Sequence, residues 1–283
     1  MTLQVHRVGP SALVQDLGRP GWAHLGVPRS GALDDRASAL AQRLVGNEPS
    51  AAGLEVVLGG LEVSSDAGVW VAVTGAPCEV TVDGRAAGFA APVWLPAGGT
   101  LRLGRPPAGL RSYLAVAGGV AVEPVLGSRS TDTLGRVGPP PVSVGDVLPV
   151  GTTSGSPAAV DATRPPSPGP LRLLPGPRAG RVEGDVVDRL CRTSYTVSPD
   201  SDRIGLRLVG DPLPLARTQE LPSEGMVLGA VQVPPDGRPV VFLADHPTTG
   251  GYPVVAVVEE ADLWQCAQLR PGERVGFSRA ATR

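Results

Sequence analysis

Glycine and proline interrupt this chain so often that few long regular elements fit between them. With 38 glycines and 31 prolines, they make up almost a quarter of the 283 residues. Both residues end regular structure, because proline removes a backbone donor and glycine tolerates turn conformations. Many short strands joined by turns are therefore favoured, and Asp83-Gly84, between two strand-like runs, is typical of a β-hairpin. We expect a mostly β protein with a few helices, built as a closed barrel or a pair of barrels.

A proline-rich stretch divides the chain into two parts. Residues 151–170, GTTSGSPAAVDATRPPSPGP, contain five prolines, no aromatic residue and no hydrophobic period. Such a composition is typical of a linker, and disorder is the interpretation that it favours. We therefore predict an N-terminal β domain over residues 1–150 and a C-terminal β domain over residues 171–283.

One segment of the first domain has the period of an amphipathic helix. Residues 32–45 place five apolar side chains on one face: Leu33, Ala37, Leu40, Ala41 and Leu44. Ser30, just before this segment, is a candidate cap. Two shorter helices are expected in the second domain, around residues 182–190 and 259–269.

All 25 positive side chains are arginines, because the chain contains no lysine. Chemistry that needs an amine on this chain is thereby excluded: a P-loop lysine, a Schiff base, a pyridoxal-phosphate anchor or covalently attached biotin. The planar guanidinium of arginine instead suits bidentate contacts with carboxylates and phosphates. The net charge of −2 gives no electrostatic footprint for nucleic acid or for an anionic membrane.

Neither metal ligation nor export is indicated by the sequence. The three cysteines and three histidines lie far apart and form no metal-ligand spacing, so we expect no metal site made by this chain alone. The N-terminus lacks the apolar core of a signal peptide, and no uncharged stretch is long and continuous enough to span a bilayer. We expect a cytoplasmic protein that does not bind membranes.

Two loops of the first domain carry more polar groups than a simple connection needs. Residues 15–34 hold two arginines and end at the predicted helix, whose N-terminal N–H groups attract anions. An anion site at Ser30-Gly31 and a surface loop pinned by arginine–carboxylate pairs fit this pattern equally well. Residues 126–136 offer hydroxyl and guanidinium groups, among them Arg129 and Thr131. Composition alone favours a solvated turn there, with a binding site as the alternative.

A third loop, in the second domain, follows a strand-like run that ends at Asp245. The residues after it offer hydroxyls, close backbone approach and a covering ring: Thr248, Thr249, Gly250, Gly251 and Tyr252. Asp245 beside His246 suggests acid–base chemistry, although adjacent side chains of an extended chain point to opposite sides. Glu224 precedes another strand, where a carboxylate can act as a general base or merely cap a turn. A hairpin loop with a salt bridge is the structural alternative.

These segments occur in an order that resembles one protein family. The resemblance is carried by QDLGRPGWAHLGVPRSGALD, RSYLAVAGG, VLGSRSTD, SDRIGLRLVG, SEG and ADHPTTGGYP. They are similar to the motifs of the PxpC component of bacterial 5-oxoprolinase, also called KipA or allophanate hydrolase subunit 2. That family is similar to the carboxyltransferase domain of urea amidolyase and is often labelled a biotin-dependent carboxyltransferase. The resemblance runs from residue 3 to residue 278 and leaves the linker unmatched.

The resemblance implies a cyclophilin-like β-barrel architecture and an enzyme made of several different chains. The implied partners are a KipI-like protein and a LamB/YcsF-like protein, each a separate component of that enzyme. The implied reaction opens the small molecule 5-oxo-L-proline to L-glutamate with hydrolysis of ATP, and phosphorylation of the lactam oxygen would make it a better leaving group. Mg²⁺ would accompany ATP, held by a few carboxylates and the phosphates at a site that a partner protein can share.

The matching motif positions carry a site hypothesis. We predict acid–base roles for Asp245 and, as a second choice, Glu224, and we expect Asp245→Ala to abolish turnover while leaving the fold intact. Contacts with substrate or phosphate are predicted for Arg19, Ser30, Gly31, Arg129, Thr131, Thr248, Thr249, Gly250, Gly251 and Tyr252. Guanidinium forks and a helix N-terminus suit the stabilisation of a phosphoryl group in transfer.

Two other functions fit the same motifs. Carboxyl transfer from carboxybiotin would need a biotin carrier and a biotin carboxylase as partners, since biotin is not attached to this chain. A regulatory protein would bind a KipI-like kinase inhibitor and would need no intact pocket. The pocket motifs of this chain are intact, which favours catalysis.

Overall fold

The chain folds into two compact units in the computed structural model, which describes residues 1–153, 155–158, 167–216 and 221–281. Unit 1 comprises Met1–Arg19, Ser30–Asp132 and Arg136–Pro165, and unit 2 comprises Pro20–Arg29, Thr133–Gly135 and Pro166–Arg283. Two short segments of the first half thus belong to unit 2. The two units therefore do not correspond simply to the parts of the chain before and after the linker. The predicted disorder of residues 151–170 falls partly outside the described residues.

Unit 1 is built from short antiparallel strands. Its strands are β1 (Thr2–Arg7), β2 (Ser11–Gln15), β3 (Gly53–Val57), β4 (Glu62–Ser65), β5 (Val69–Gly75), β6 (Val80–Val82), β7 (Arg85–Ala86), β8 (Val93–Leu95), β9 (Thr100–Leu103), β10 (Arg111–Val116) and β11 (Val147–Pro149). They form two sheets with the orders β11-β1-β4-β9-β6-β7 and β2-β3-β10-β5-β8. One apolar core, which includes Leu3, Leu54 and Leu114, is shared by both sheets. Strand β10 is buried at all six residues, including Arg111 and Ser112, and it is the middle strand of its five-stranded sheet.

The predicted hairpin is confirmed between β6 and β7. Asp83 and Gly84 connect the two strands with φ values of 50° and 75°. Positive φ at both central residues is the backbone twist that a two-residue hairpin needs, and the Asp-Gly pair tolerates it.

The predicted helix of unit 1 is confirmed as α1 (Asp35–Leu44), but the predicted cap is wrong. Asp34 is the cap, because its side chain accepts a hydrogen bond from the N–H of Ala37 at 3.0 Å. Ser30 lies farther upstream with a φ of 54°, and the chain between them is held away from helical geometry. The N–H of Leu33 donates to a carboxylate oxygen of Glu55, at 3.0 Å.

Unit 2 forms an almost closed barrel. Its strands and α-helices are β12 (Leu171–Pro175), α2 (Val186–Arg192), β13 (Tyr195–Val197), β14 (Gly205–Val209), β15 (Glu224–Gly225), β16 (Ala230–Gln232), β17 (Val240–Phe242), β18 (Thr249–Gly250), β19 (Val254–Val258), α3 (Leu263–Gln268), β20 (Arg274–Val275) and β21 (Phe277–Arg279). The main sheet has the order β20-β13-β14-β17-β16-β19-β12-β21. Its two edge strands are consecutive in the chain, with Gly276 alone between them, so the edges lie close together. The expectation of a mostly β fold with few helices is confirmed.

The two helices expected in this unit are present with shifted bounds. Helix α2 begins four residues later than the sequence pattern suggests, because the side chain of Asp185 caps it by accepting from the N–H of Asp188. Helix α3 follows a 3₁₀ turn, Glu260–Asp262, and two further 3₁₀ turns are Ala23–Leu25 and Ala179–Arg181. In the described ranges no helix combines the length and apolarity needed to cross a membrane.

Candidate functional site

A buried carboxylate organises the loop that follows β2 in unit 1. Asp16 Oδ1 accepts from Ser128 Oγ at 2.6 Å, from Ser130 Oγ at 2.5 Å and from the N–H of Gly18 at 2.7 Å. Its Oδ2 accepts from the N–H of Arg129 at 2.6 Å. The Asp16 side chain thus joins two loops that are distant in the sequence. We call Asp16 and the residues that donate to it, Gly18, Ser128, Arg129 and Ser130, the Asp16 cluster. Sequence reasoning missed Asp16 as a candidate, because QDLG looks like any strand end followed by a turn.

Arg19 is built into this cluster rather than exposed on its surface. The side chain is 1% exposed, and its guanidinium donates to the carbonyl oxygens of Ser130 and, at 3.4 Å, Val125. Gly138 passes so close that a Cβ there would lie 2.9 Å from Arg19 Nη2. Arg129 likewise donates from Nε to a carbonyl, that of Val122, at 2.7 Å. Both arginines therefore hold backbone, and contact with an anion, which stays a prediction, would have to compete with these bonds.

Ser30 and Thr131 meet inside unit 1. Ser30 Oγ donates to the carbonyl of Thr131 at 2.9 Å, and Gln15 Nε2 donates to the same carbonyl at 2.8 Å. Thr131 Oγ1 and Gln15 Oε1 are buried and have no hydrogen-bond partner among the described residues. Gly31 has a φ of 96°, and a Cβ there would lie 2.9 Å from the backbone nitrogen of Gly18. The structure thus brings Arg19, Ser30, Gly31, Arg129 and Thr131 together in unit 1.

The start of α1 is occupied by carboxylates. Asp34 caps it, and Glu55 accepts both from the N–H of Leu33 and from the Tyr113 hydroxyl, the latter at 2.9 Å. Burial and the neighbouring charges of Glu55 and Asp34 hold the pKa of Tyr113 well above its usual value, so it stays a donor. Glu55 is itself paired with buried Arg111 at 3.3 Å. An anion at Ser30-Gly31 would therefore have to be held by groups other than this helix end.

A buried ion pair lies at the end of β17 in unit 2. Arg203 Nε and Nη2 contact Asp245 Oδ2 and Oδ1 at 3.0 and 3.1 Å, in the bidentate arrangement of an arginine fork. Asp245 is 0% exposed and Arg203 5%. The N–H and Oγ1 of Thr133 also donate to Asp245 Oδ2, at 2.9 and 2.7 Å. Arg203 and Thr133 lie within motifs of the resemblance or beside them, but sequence reasoning did not select either as a site residue.

These contacts decide the charge state of Asp245. Burial by itself raises the pKa of its carboxyl, but the Arg203 charge and the hydrogen bonds from Arg203 and Thr133 outweigh burial. The pKa of Asp245 is therefore lowered, and the group is a carboxylate at neutral pH. A carboxylate with four donors and a lowered pKa is a weak proton acceptor, so the geometry suits a positioning role better than the predicted acid–base role.

His246, beside this ion pair, has a fixed ring orientation. Its Nδ1 lies 2.7 Å from the carbonyl oxygen of Pro247, and its ring stacks on that of Phe242 with the centroids 5.9 Å apart. Burial lowers the pKa of the imidazole, which keeps it neutral at pH 7. Sequence reasoning noticed His246 but did not select it, since adjacency to Asp245 alone does not show which side chain is open.

The remaining residues of the third loop contact other parts of unit 2 than the Arg203–Asp245 pair. Strand β18, Thr249–Gly250, pairs with β15, and the N–H of Met226 donates to the carbonyl of Thr248 at 2.9 Å. Gly251 and half-exposed Tyr252 line a groove of about 700 Å³. Prolines and aliphatic side chains make up most of its wall, with Arg181 as a cation. Asp245 and His246 do not line this groove, so the loop spans two separate places in the unit.

Glu224 takes part in a more exposed ion pair. Its carboxylate accepts from Arg178 Nε at 2.9 Å and from Arg178 Nη2. The hydrogen bond from Arg178 lowers the pKa of Glu224, so this carboxyl is also ionised. A general acid at this position would have to leave Arg178 first.

The described residues offer few ligands for a metal ion. Within the part of the chain that the structure describes, no three or more His, Cys, Asp or Glu side chains come together as a metal site. An Mg²⁺ ion held mainly by phosphates needs fewer protein ligands, so the Mg²⁺ expectation stays a prediction.

Comparison with known proteins identifies the family of this chain. A family model described as the carboxyltransferase domain, subdomain A and B, matches residues 25–279. The chain belongs to this carboxyltransferase-domain family. The C subunit of 5-oxoprolinase from Escherichia coli K12 is 39% identical over 279 residues, which are 97% of this chain and 90% of that protein. As its name states, that relative is one component of an enzyme.

Two solved structures of this family share the fold. The structure of TTHA0988 is 39% identical with a TM-score of 0.89; the match covers 98% of this chain and 55% of that one, so this chain spans about half of it. The urea amidolyase of K. lactis is 28% identical with a TM-score of 0.92, over 99% of this chain and 19% of that one. In both structures the matched fold is therefore only part of a longer chain.

Proposed function

We propose that this carboxyltransferase-family chain is one component of an ATP-dependent 5-oxoprolinase, which opens 5-oxo-L-proline to L-glutamate. Its partners in this proposal are a KipI-like protein and a LamB/YcsF-like protein. The observation that carries the proposal is the match with the C subunit of a 5-oxoprolinase over 97% of this chain and 90% of that relative. A match of that extent favours a shared role over a shared fold alone.

The residues of this chain suit the parts of the reaction that need rigid positioning. A lactam carbonyl is a poor electrophile, and transfer of a phosphoryl group from ATP to its oxygen activates it. Such transfer depends mostly on alignment and charge stabilisation. The Arg203–Asp245 pair fixes the end of β17, and the Asp16 cluster fixes residues 128–131, so both motif loops are held without relying on a bound ligand.

Reconstituted turnover tests this proposal. The chain, its KipI-like partner and its LamB/YcsF-like partner are purified, and glutamate release from 5-oxoproline with ATP is followed for each chain and every combination. We expect glutamate only with the complete set. Within that set, Arg203→Lys removes the bidentate fork and should lower turnover at least tenfold. Arg192→Lys, in an exposed pair, is the matched control and should change little.

Carboxyl transfer is the second candidate function. It is favoured by the description of the family model and by the TM-score of 0.92 with a urea amidolyase. The complex would then move a carboxyl group from carboxybiotin on a carrier protein to an amide. Loss of label from carboxybiotin, with no glutamate from 5-oxoproline, would replace the first proposal with this one. A stable complex that shows neither reaction would support the regulatory function.

A further inference from the structure

We infer that His246, rather than Asp245, is the residue that accepts and returns a proton at the end of strand β17 in unit 2. The inference rests on the proposed function, because it assigns His246 a step in lactam opening. It depends on three observations: the tautomer that the backbone imposes on the ring, the opening at the other ring nitrogen, and the saturation of the neighbouring carboxylate.

The backbone fixes the tautomer of His246. The carbonyl oxygen of Pro247 can only accept a hydrogen bond, so Nδ1, at 2.7 Å from it, must be the protonated nitrogen. The ring lies nearly parallel to that of Phe242, with 13° between the ring planes, so one of its faces is covered by an apolar side chain. Nε2 therefore carries the lone pair, which is the arrangement of a histidine that acts as a base.

Nε2 is also the ring atom that remains open. It has no hydrogen-bond partner among the described residues, and it is not one of their fully buried unpaired atoms, so it keeps an opening to solvent. The residue as a whole is 8% exposed. A histidine that served packing alone would gain nothing from an open Nε2, whereas a proton carrier needs one.

Asp245 is poorly suited to the same step. Its two oxygens accept from Arg203 and from Thr133, and it has no exposed surface. Taking up a proton would break the fork with Arg203 and remove the carboxylate charge from beside a buried guanidinium. The two adjacent residues thus divide the work: Asp245 holds the loop in place and His246 exchanges the proton.

The charges around His246 keep it neutral. Asp245 faces it from its own loop and favours the protonated ring, but Arg203 balances that charge. Strand β17 contributes Phe242, which has no charge, to the face of the ring. Burial has the largest effect and lowers the pKa of His246 below its usual 6.5. The imidazole of His246 is therefore unprotonated at neutral pH, and it becomes protonated as the pH falls through this lowered pKa.

ATP transfers its terminal phosphoryl group to the lactam oxygen, ADP leaves, and the proton of the ring N–H is lost to solvent. The ring carbon is then singly bonded to the phosphorylated oxygen and doubly bonded to nitrogen. Water oxygen bonds to that carbon while His246 Nε2 takes one of its protons. The imidazolium returns this proton to the ring nitrogen, and the remaining hydroxyl proton moves to nitrogen as the carbon–nitrogen bond breaks. The products are an amine and an acyl phosphate, which a second water hydrolyses to glutamate and phosphate.

Turnover by the assembled complex tests this role. His246→Asn keeps an N–H that can reach Pro247 but removes the base, so kcat should fall by about a hundredfold to ten-thousandfold with a much smaller change in KM. The fall of kcat at acidic pH should also disappear, and imidazole added to His246→Ala should restore part of the rate. His6→Asn, at an exposed position of strand β1, is the control. A kcat within twofold of the unchanged complex in His246→Asn would overturn the inference and leave the proposed function intact.

The tautomer is tested without any turnover. Nitrogen-15 NMR of the isolated chain should show His246 protonated at Nδ1 and unprotonated at Nε2 at pH 7. Protonation at Nε2 would overturn the inference whatever the activity of the complex. Absence of glutamate from the unchanged complex would instead refute the proposed function, so the two failures are distinguishable.

Discussion

Replacing Asp245 by asparagine should destabilise unit 2 severely. The change keeps the shape of the side chain but removes the negative charge that Arg203, which is 5% exposed, contacts through its bidentate fork. Breaking a buried pair from one side costs about 3–5 kcal/mol, because the remaining charge stays buried without that partner. We therefore expect a loss of this size in the free energy of unfolding. Asp245→Ala should cost at least as much, which differs from the sequence-based expectation that it leaves the fold intact.

Urea denaturation followed by circular dichroism measures the effect. With a urea dependence of about 1–3 kcal/mol per molar, a loss of about 3 kcal/mol lowers the midpoint by roughly 1 M or more. Asp188→Asn is the matched control, since Asp188 pairs with Arg192 on the surface of α2, with side chains 51% and 79% exposed. Exposed pairs contribute at most about 1 kcal/mol, so this midpoint should hardly move.

The same pair makes stability depend on pH. The pKa of Asp245 is lowered in the native state, so the pair stabilises fully above the ordinary carboxyl pKa of 3.8. That stabilisation is lost as the pH falls through the lowered native pKa, and Asp245→Asn should not show this loss. Adding Arg203→Met to Asp245→Asn should recover part of the stability, because the buried positive charge is then removed together with the buried negative one. Equal midpoints for Asp245→Asn and Asp188→Asn would refute the reasoning.

Three further predictions concern other parts of the chain. Asp16→Ala leaves the buried hydroxyls of Ser128 and Ser130 without their acceptor, and at about 1–3 kcal/mol for each unsatisfied group it should cost at least about 2 kcal/mol in urea denaturation. Gly31→Ala places a side chain at a φ of 96°, 2.9 Å from backbone, and should cost about 1–3 kcal/mol by the same measurement; an unchanged midpoint would contradict it. Burial raises the pKa of the Cys266 thiol to about 12, so at pH 8 a thiol reagent should modify Cys266 in urea but not in the native chain.

Local features of the fold could be predicted from the sequence because local chemistry decides them. The Asp83-Gly84 turn and the apolar face of residues 32–45 depend on neighbouring residues, and both are confirmed. The cap of α1 was assigned wrongly because Ser30 and Asp34 both carry side chains that can cap a helix, and only the structure shows that Asp34 accepts from the N–H of Ala37. Distance along the chain hid Arg203 as the partner of Asp245, since 42 positions separate them. A list of motifs shows which residues matter together but not which of them bond.

The absence of lysine explains part of the division of labour at the candidate sites. Arginine stays charged when buried, and its planar fork can satisfy both oxygens of a carboxylate or several carbonyls at once. Arg203 and Arg19 are both buried and are used in this way, as anchors of loops. A guanidinium cannot exchange protons near neutral pH, so the proton transfers of the proposed lactam opening would fall to another kind of side chain. Among the groups at the end of β17, Asp245 is committed to Arg203 and His246 is not. If replacing a buried arginine abolishes activity, the loop that it anchors has therefore lost its position, and the loss does not identify a catalytic contact. A change that leaves the anchoring arginines in place, such as His246→Asn, distinguishes a lost catalytic group from a displaced loop.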